Sequence, residues 1–217
     1  MSKTKDIRDA VAAELLFDPL IDDANISVQS SGGDVTLDGT VTSYSQYLEA
    51  ASAAQRVAGV KSVTDNLTVV PPATDFRDDA SLSAAASNAL LWAVNVPPDV
   101  TAIVTDGIVT LTGTVSFGSE RSATEVAVGG LIGLRGIDDQ IVISYDADPG
   151  DVTVAVQDAL DRNALVDDDS DIVVNTDGST VTLSGEVDTW AEHDAVIEAA
   201  WMASGVYDVI DNLVIAD

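Results

Sequence analysis

The chain has 217 residues, 46% of them apolar, with 37 acidic against 9 basic side chains and a formal net charge of −28 at pH 7. That balance excludes duplex DNA or RNA as a partner, because binding phosphates requires clustered basic side chains that displace counterions. With no cysteine there are no disulfides, thiolate chemistry or cysteine-based zinc sites, and no apolar run approaches the ~18 residues of a transmembrane span.

The first predicted element is a helix whose apolar residues step by four, Ile7, Val11 and Leu15, forming one buried face. An alternating strand follows, then a turn at Ser31-Gly32-Gly33-Asp34 and a second strand, Val35-Thr-Leu-Asp-Gly-Thr-Val41. Gly39 lies inside that strand and marks a close approach of another backbone, expected to be the second helix. That helix opens on the capping box Ser43-x-x-Gln46. Gly59 falls where a left-handed residue stops a helix, and Val60 is expected to start the last strand.

The same order then recurs. Leu82, Ala86 and Leu90 mark the next first helix, Asp106-Gly107 the turn, and Val109-Thr-Leu-Thr-Gly-Thr-Val115 the strand carrying Gly113. Its second helix has Phe117-Gly-Ser-Glu120, which keeps the acid of a capping box and lacks the hydroxyl, and it ends before Gly133 and Leu134. In the third copy Asp148 is the expected N-cap, with Pro149 at the first helical position and Asp151 completing a capping-box-like pattern. Val152, Val156 and Leu160 follow, then Asp177-Gly178-Ser179, Val181-Thr-Leu-Ser-Gly-Glu-Val187 with Gly185, Thr189-x-x-Glu192, and finally Gly205 and Val206. Gly39, Gly113 and Gly185 are 74 and 72 residues apart, and a second glycine lies 20 residues after each.

The fold expected is therefore α/β of the α+β kind: three tandem helix-strand-strand-helix-strand modules over 1–72, 73–146 and 147–217. Each is a three-stranded mixed sheet carrying two helices on one face, with a right-handed crossover through the second helix. The proline-containing connectors 70–75 and 145–150 suit semi-rigid spacing.

The combination of V-x-L-x-G-x-V, a small-residue helix, G-V-x-x-V and Asn-Leu-x-Val resembles the BON domain. In the first copy it is carried by Gly39, Val41, Gly59, Val60, Val63, Asn66 and Leu67, and in the third by Gly185, Val187, Gly205, Val206, Val209, Asn212 and Leu213. The middle copy substitutes Leu134, Ile137, Gln140 and Ile141 in the later part. The resemblance implies a non-catalytic protein associated with phospholipid surfaces, envelope maintenance and osmotic or stress responses, with potassium-linked cytoplasmic relatives.

Groups able to carry catalysis are few. His193 is the single histidine and reads as an exposed helix residue at a position occupied by Tyr47 and Arg121 in the other copies. Gly129-Gly130-Leu-Ile-Gly133 lacks the strand context of a phosphate loop, and no cofactor is expected. Asp167, Asp169 and Asp171 alternate along an acidic string but fail the EF-hand pattern, so the string reads as a solvated loop with weak cation binding as the alternative. Trp92, Trp190 and Trp201 are the candidate contact residues, for packing between modules or for an external partner.

The functional expectation is a non-enzymatic binding or scaffold protein that engages protein or phospholipid surfaces, with a K⁺- or Ca²⁺-responsive acidic module as the alternative. The beginning Met1-Ser-Lys-Thr-Lys-Asp has no signal-peptide pattern, which predicts a soluble, cytoplasmic protein. The acidity is either a solubility surface or, as favoured here, an adaptation to concentrated salt. At ~1 M salt the Debye length is ~3 Å and self-repulsion is largely screened.

Overall fold

A computed structural model describes residues 3–144, 149–166, 172–203 and 205–216. The order of elements is α1 (Lys3–Phe17), β1 (Ile26–Ser31), β2 (Asp34–Val41), α2 (Tyr44–Gln55), β3 (Ser62–Val69), α3 (Asp79–Trp92), β4 (Thr101–Thr105), β5 (Ile108–Val115), α4 (Gly118–Gly129) and β6 (Gly136–Ile143). The third module adds α5 (Pro149–Asp161), β7 (Ile172–Asp177), β8 (Thr180–Val187), α6 (Trp190–Met202) and β9 (Asp208–Ile215). The strands form three separate three-stranded sheets, ordered β1-β2-β3, β4-β5-β6 and β7-β8-β9.

The chain divides into two compact units: residues 1–89 with 102–110 and 126–138, and residues 90–101 with 111–125 and 139–217. In the first unit β1 pairs antiparallel with β2 from Ile26↔Gly39 to Ser31↔Asp34, and β2 pairs parallel with β3 from Asp34↔Ser62 to Val41↔Val69. In the second, β7 and β8 run antiparallel from Ile172↔Gly185 to Asp177↔Thr180, and β8 and β9 run parallel from Thr180↔Asp208 to Val187↔Ile215. A parallel neighbour requires a crossover, which α2 and α6 supply. Each helix therefore lies along its sheet, and α1 packs on α2 as α5 packs on α6.

The stepped apolar residues do form the cores. Val11 and Leu15 of α1 are buried with Val35 and Leu37 of β2 and Ala50, Ala53 and Ala54 of α2. Val152, Val156 and Leu160 are buried with Val181, Leu183 and Val196 in the same way. Alanines on α2 let the helix come close to the sheet, and the middle strand supplies the branched side chains that fill the gap.

Three expectations are revised by the backbone. Gly39 has φ +135°, and a Cβ there would meet the carbonyl oxygen of Asn25, while one at Gly113 (φ +145°) would lie 2.7 Å from that of Asp99. In the first two modules the close approach thus comes from the chain entering the first strand, where it bends onto the middle strand, and not from the second helix. Gly59 (φ +88°) does not terminate α2, which ends at Gln55. It is the third residue of a separate turn closed by the Val60 amide on the Val57 carbonyl at 3.2 Å, and Gly133 sits likewise in the turn closed from Leu134 to Leu131. Val60, Leu134 and Val206 are buried in these turns, at 2%, 1% and 1% exposure, with the strands beginning two residues later. Asp148 lies outside the described residues; α5 begins at Pro149 as expected.

Candidate interaction surfaces

The second helix of every module starts on a cap that the sequence announces. Ser43 Oγ accepts the Gln46 amide at 3.2 Å and Thr189 Oγ1 accepts that of Glu192 at 3.1 Å. In the middle module, which has no hydroxyl at this point, Glu120 acts alone: its Oε2 accepts the amides of Ser116 at 2.8 Å and Phe117 at 3.1 Å. A charged acceptor at a helix start is favoured by the dipole as well as by the hydrogen bonds.

Four residues into that helix, Tyr47, Arg121 and His193 face Asp65, Asp139 and Asp211 on the third strand. Each aspartate first binds its own strand, Oδ1 accepting the amide two residues on, from Leu67 (2.8 Å), Ile141 (2.8 Å) and Leu213 (2.9 Å). Oδ2 then takes what the helix offers. Asp139 pairs with Arg121 Nε, and Asp211 with His193 Nε2 at 2.9 Å. Asp65 Oδ2 is buried with no hydrogen-bond partner. Burial pushes the Asp65 carboxyl above its usual range, and burial followed by the charge of Asp65 raises the Tyr47 phenol. These three aspartates escaped the sequence reading, although their recurrence at a constant distance from the strand glycine was available.

His193 is consequently not the exposed residue expected. Its side chain is 12% exposed, bridges Asp194 (3.2 Å) and Asp211, and lies 4.9 Å from the Trp190 ring. Periodicity places it on the helix surface, but β9 lies alongside that surface.

The tryptophans occupy three different settings. Trp201 packs against the core of the third module and also over Gly118, where a Cβ would come 2.5 Å from its Cε3. Trp190 is half-buried beside His193. Trp92, at the end of α3, is 82% exposed, and Leu91 and Val94 close by in sequence are 78% and 97% exposed. The end of α1 is similar, with Leu16, Phe17 and Leu20 at 71%, 83% and 66%. Apolar side chains exposed to this degree and grouped within a few residues contribute nothing to a core.

The two helices of a module meet in different ways. Between α1 and α2, Arg56 spans three carboxylates: Nε to Glu14 at 3.2 Å, Nη1 to Glu49 at 2.8 Å and Nη2 to Asp18 at 2.7 Å. Glu49 foremost raises the guanidinium pKa further, while the Leu20 amide and then Arg56 hold the Asp18 carboxyl low. Between α5 and α6 the corresponding residues are Met202, Ala159, Asn163 and Ala195. A groove of about 740 Å3 opens there, lined by alanines and edged by Asp158, Arg162 and Glu198, with Met202 63% exposed.

Asp167, Asp169 and Asp171 lie outside the described residues, and among the described residues no group of three or more His, Cys, Asp or Glu side chains is placed to hold a metal. No helix among them is long and apolar enough to cross a membrane.

The chain is similar to two solved structures of CdsD, a structural protein of the type III secretion system of Chlamydia trachomatis. One is 15% identical, covering 97% of this chain and 92% of that one with a TM-score of 0.27. The other, a C-terminal domain, is 14% identical, covering 98% of each with a TM-score of 0.28. No curated protein matches the chain. The model of the BON domain matches it three times, over residues 3–71, 78–145 and 148–217. With nearly every residue inside one of those matches, the chain belongs to the BON domain family.

Proposed function

We propose that this chain is a non-catalytic binding or scaffold protein, organised as modules over 1–72, 73–146 and 147–217, that engages protein or phospholipid surfaces and acts in osmotic or other stress. The observation that carries the reading is the exposure of Trp92 and Phe17, at 82% and 83%, each beside further exposed apolar residues at the end of a module's first helix. Rigid aromatic rings lose little entropy on binding and bury large areas, which suits them to contact surfaces. Between the two classes of surface a protein is favoured, because a net charge of −28 is repelled by anionic headgroups.

The test is flotation with zwitterionic and with anionic liposomes at low and high salt, alongside a pulldown from the native lysate, for the parent and for Phe17→Ser and Trp92→Ser. A protein recovered by the parent and lost from either variant supports the reading. Flotation with liposomes that the variants abolish transfers it to lipid. Identical behaviour of parent and variants in both experiments defeats it.

A further inference from the structure

A cleft of about 430 Å3 lies where the connector after β3 meets the β4–β5 turn and the turn before β6. Its walls include Val70, Pro71 and Phe76, and two arginines, Arg77 and Arg135, line it together. The chain has only six arginines among 37 acidic side chains. Arg8, Arg56 and Arg121 each form an ion pair, whereas Arg77 and Arg135 form none among the described residues.

Both stems are seated by glycines. A Cβ on Gly133 would lie 3.1 Å from Arg77 Cγ, and one on Gly107 would lie 2.8 Å from Arg135 Cδ, so larger residues at either place would displace an arginine. Among the described residues the heads bond main-chain carbonyls only. Arg77 Nη1 donates to Phe76 at 2.8 Å and Thr74 at 3.3 Å, and Arg135 Nη1 donates to Asp106 at 3.4 Å. Most guanidinium donors are thus unspent, since each head carries five N–H groups.

Three aspartates, Asp78, Asp79 and Asp106, line the same cleft, and two of them accept main-chain amides. Asp79 takes the Asp106 and Gly107 amides, each at 2.9 Å, and Asp78 takes the Ser81 amide at 2.7 Å. We propose that this cleft is a binding site for a small soluble organic anion, whose phosphate or carboxylate head is held by Arg77 and Arg135 and whose apolar body rests on Val70, Pro71 and Phe76. The large negative charge of the rest of the chain does not forbid this. At physiological salt the Debye length is ~8 Å, so carboxylates beyond the cleft are screened, whereas Asp78, Asp79 and Asp106 within it oppose the anion and the two guanidiniums must outweigh them through direct contact.

The test follows the backbone amide resonances of the full chain in 0.15 M KCl while phenyl phosphate, benzoate or inorganic phosphate is added. Saturable shifts are expected at Phe76, Arg77, Gly107 and Arg135, stronger for phenyl phosphate than for inorganic phosphate. Arg77→Gln and Arg135→Gln should each weaken binding roughly tenfold, the size expected for losing a charge-assisted hydrogen bond. Phe76→Ala should remove the preference for the phenyl ester, and unchanged melting temperatures show that the variants remain folded. Absence of shifts at 10 mM of every probe, or binding unaltered in both arginine variants, overturns the proposal. Displacement of phenyl phosphate by phosphatidylglycerol vesicles at equal phosphate overturns the assignment to a soluble ligand.

Discussion

The first and third modules share a register, a core and a capping scheme, yet they close their helix pairs by opposite means. Between α1 and α2 one arginine gathers three carboxylates, and between α5 and α6 the same positions hold methionine, alanine and asparagine over an open groove. The fold therefore does not depend on what joins the helices. What it depends on lies deeper, in the branched residues of the middle strand and the alanines facing them, and the outer seam differs between modules. A polar clamp fills its seam and exposes charge. An alanine-lined groove leaves apolar surface that only another molecule would cover.

The largest effects should be equal in the two modules. Leu37 and Leu183 are both fully buried on the middle strand, and Leu37→Ala and Leu183→Ala should each cost about 3 kcal/mol, the usual loss when a buried leucine is truncated. Urea melts of the two variants measure it. A loss at one position several times that at the other breaks the claim that the cores are equivalent and moves the difference between modules inward.

A smaller effect should separate them. Arg56→Met gives α2 the residue that α6 carries and leaves Glu14, Asp18 and Glu49 facing one another. Since the arginine is 45% exposed, a cost of roughly 1 kcal/mol is expected at low salt, shrinking in 2 M KCl as the carboxylates are screened. The unmutated chain should instead gain thermal stability between low and multimolar KCl, because its net charge of −28 is screened throughout. Equal melting temperatures across that range would count against adaptation to salt, and an Arg56→Met penalty that survives 2 M KCl would show the clamp acting through packing of the arginine stem.

The cores were legible in the sequence because periodicity is a local signal. Val11, Leu15, Val152 and Val156 announce one buried face without knowledge of what it packs against, and the repeated V-x-L-x-G-x-V gives the middle strand three times over. Ser43 and Thr189 were legible for the same reason, since a cap acts on an amide three residues away. The clamp and the clasps were not. Arg56 reaches Glu14 and Asp18 across 42 and 38 residues, and His193 meets Asp211 only after β9 has been laid beside α6. Glycine showed the intermediate case. The sequence marked Gly39 as a place of close approach, but Asn25, the residue that approaches, is fixed by the bend into β1 and not by any pattern around the glycine.

The middle module sharpens the comparison at the tie between second helix and third strand, where it sets two carboxyls together. Asp139 already takes Arg121 and the Ile141 amide, and Glu125, one helical turn after Arg121, meets the same aspartate. Burial first, then the hydrogen bond and charge of Asp139, push the Glu125 carboxyl up to about 6 from its ordinary 4.5. The fold thus favours the protonated form, so the stability linked to this group is fully present below pH 4.5 and is lost as the pH rises through about 6. Glu125 is only partly buried, and screening holds the loss to under about 1 kcal/mol. Glu125→Gln keeps a hydrogen-bond donor and removes the titration, so its stability should match the parent near pH 4.5 and exceed it at pH 7. Urea melts at both values measure the difference, and a variant that gains nothing at pH 7 would mean that the carboxyl pair separates in solution and that the helix is tied down by Arg121 alone.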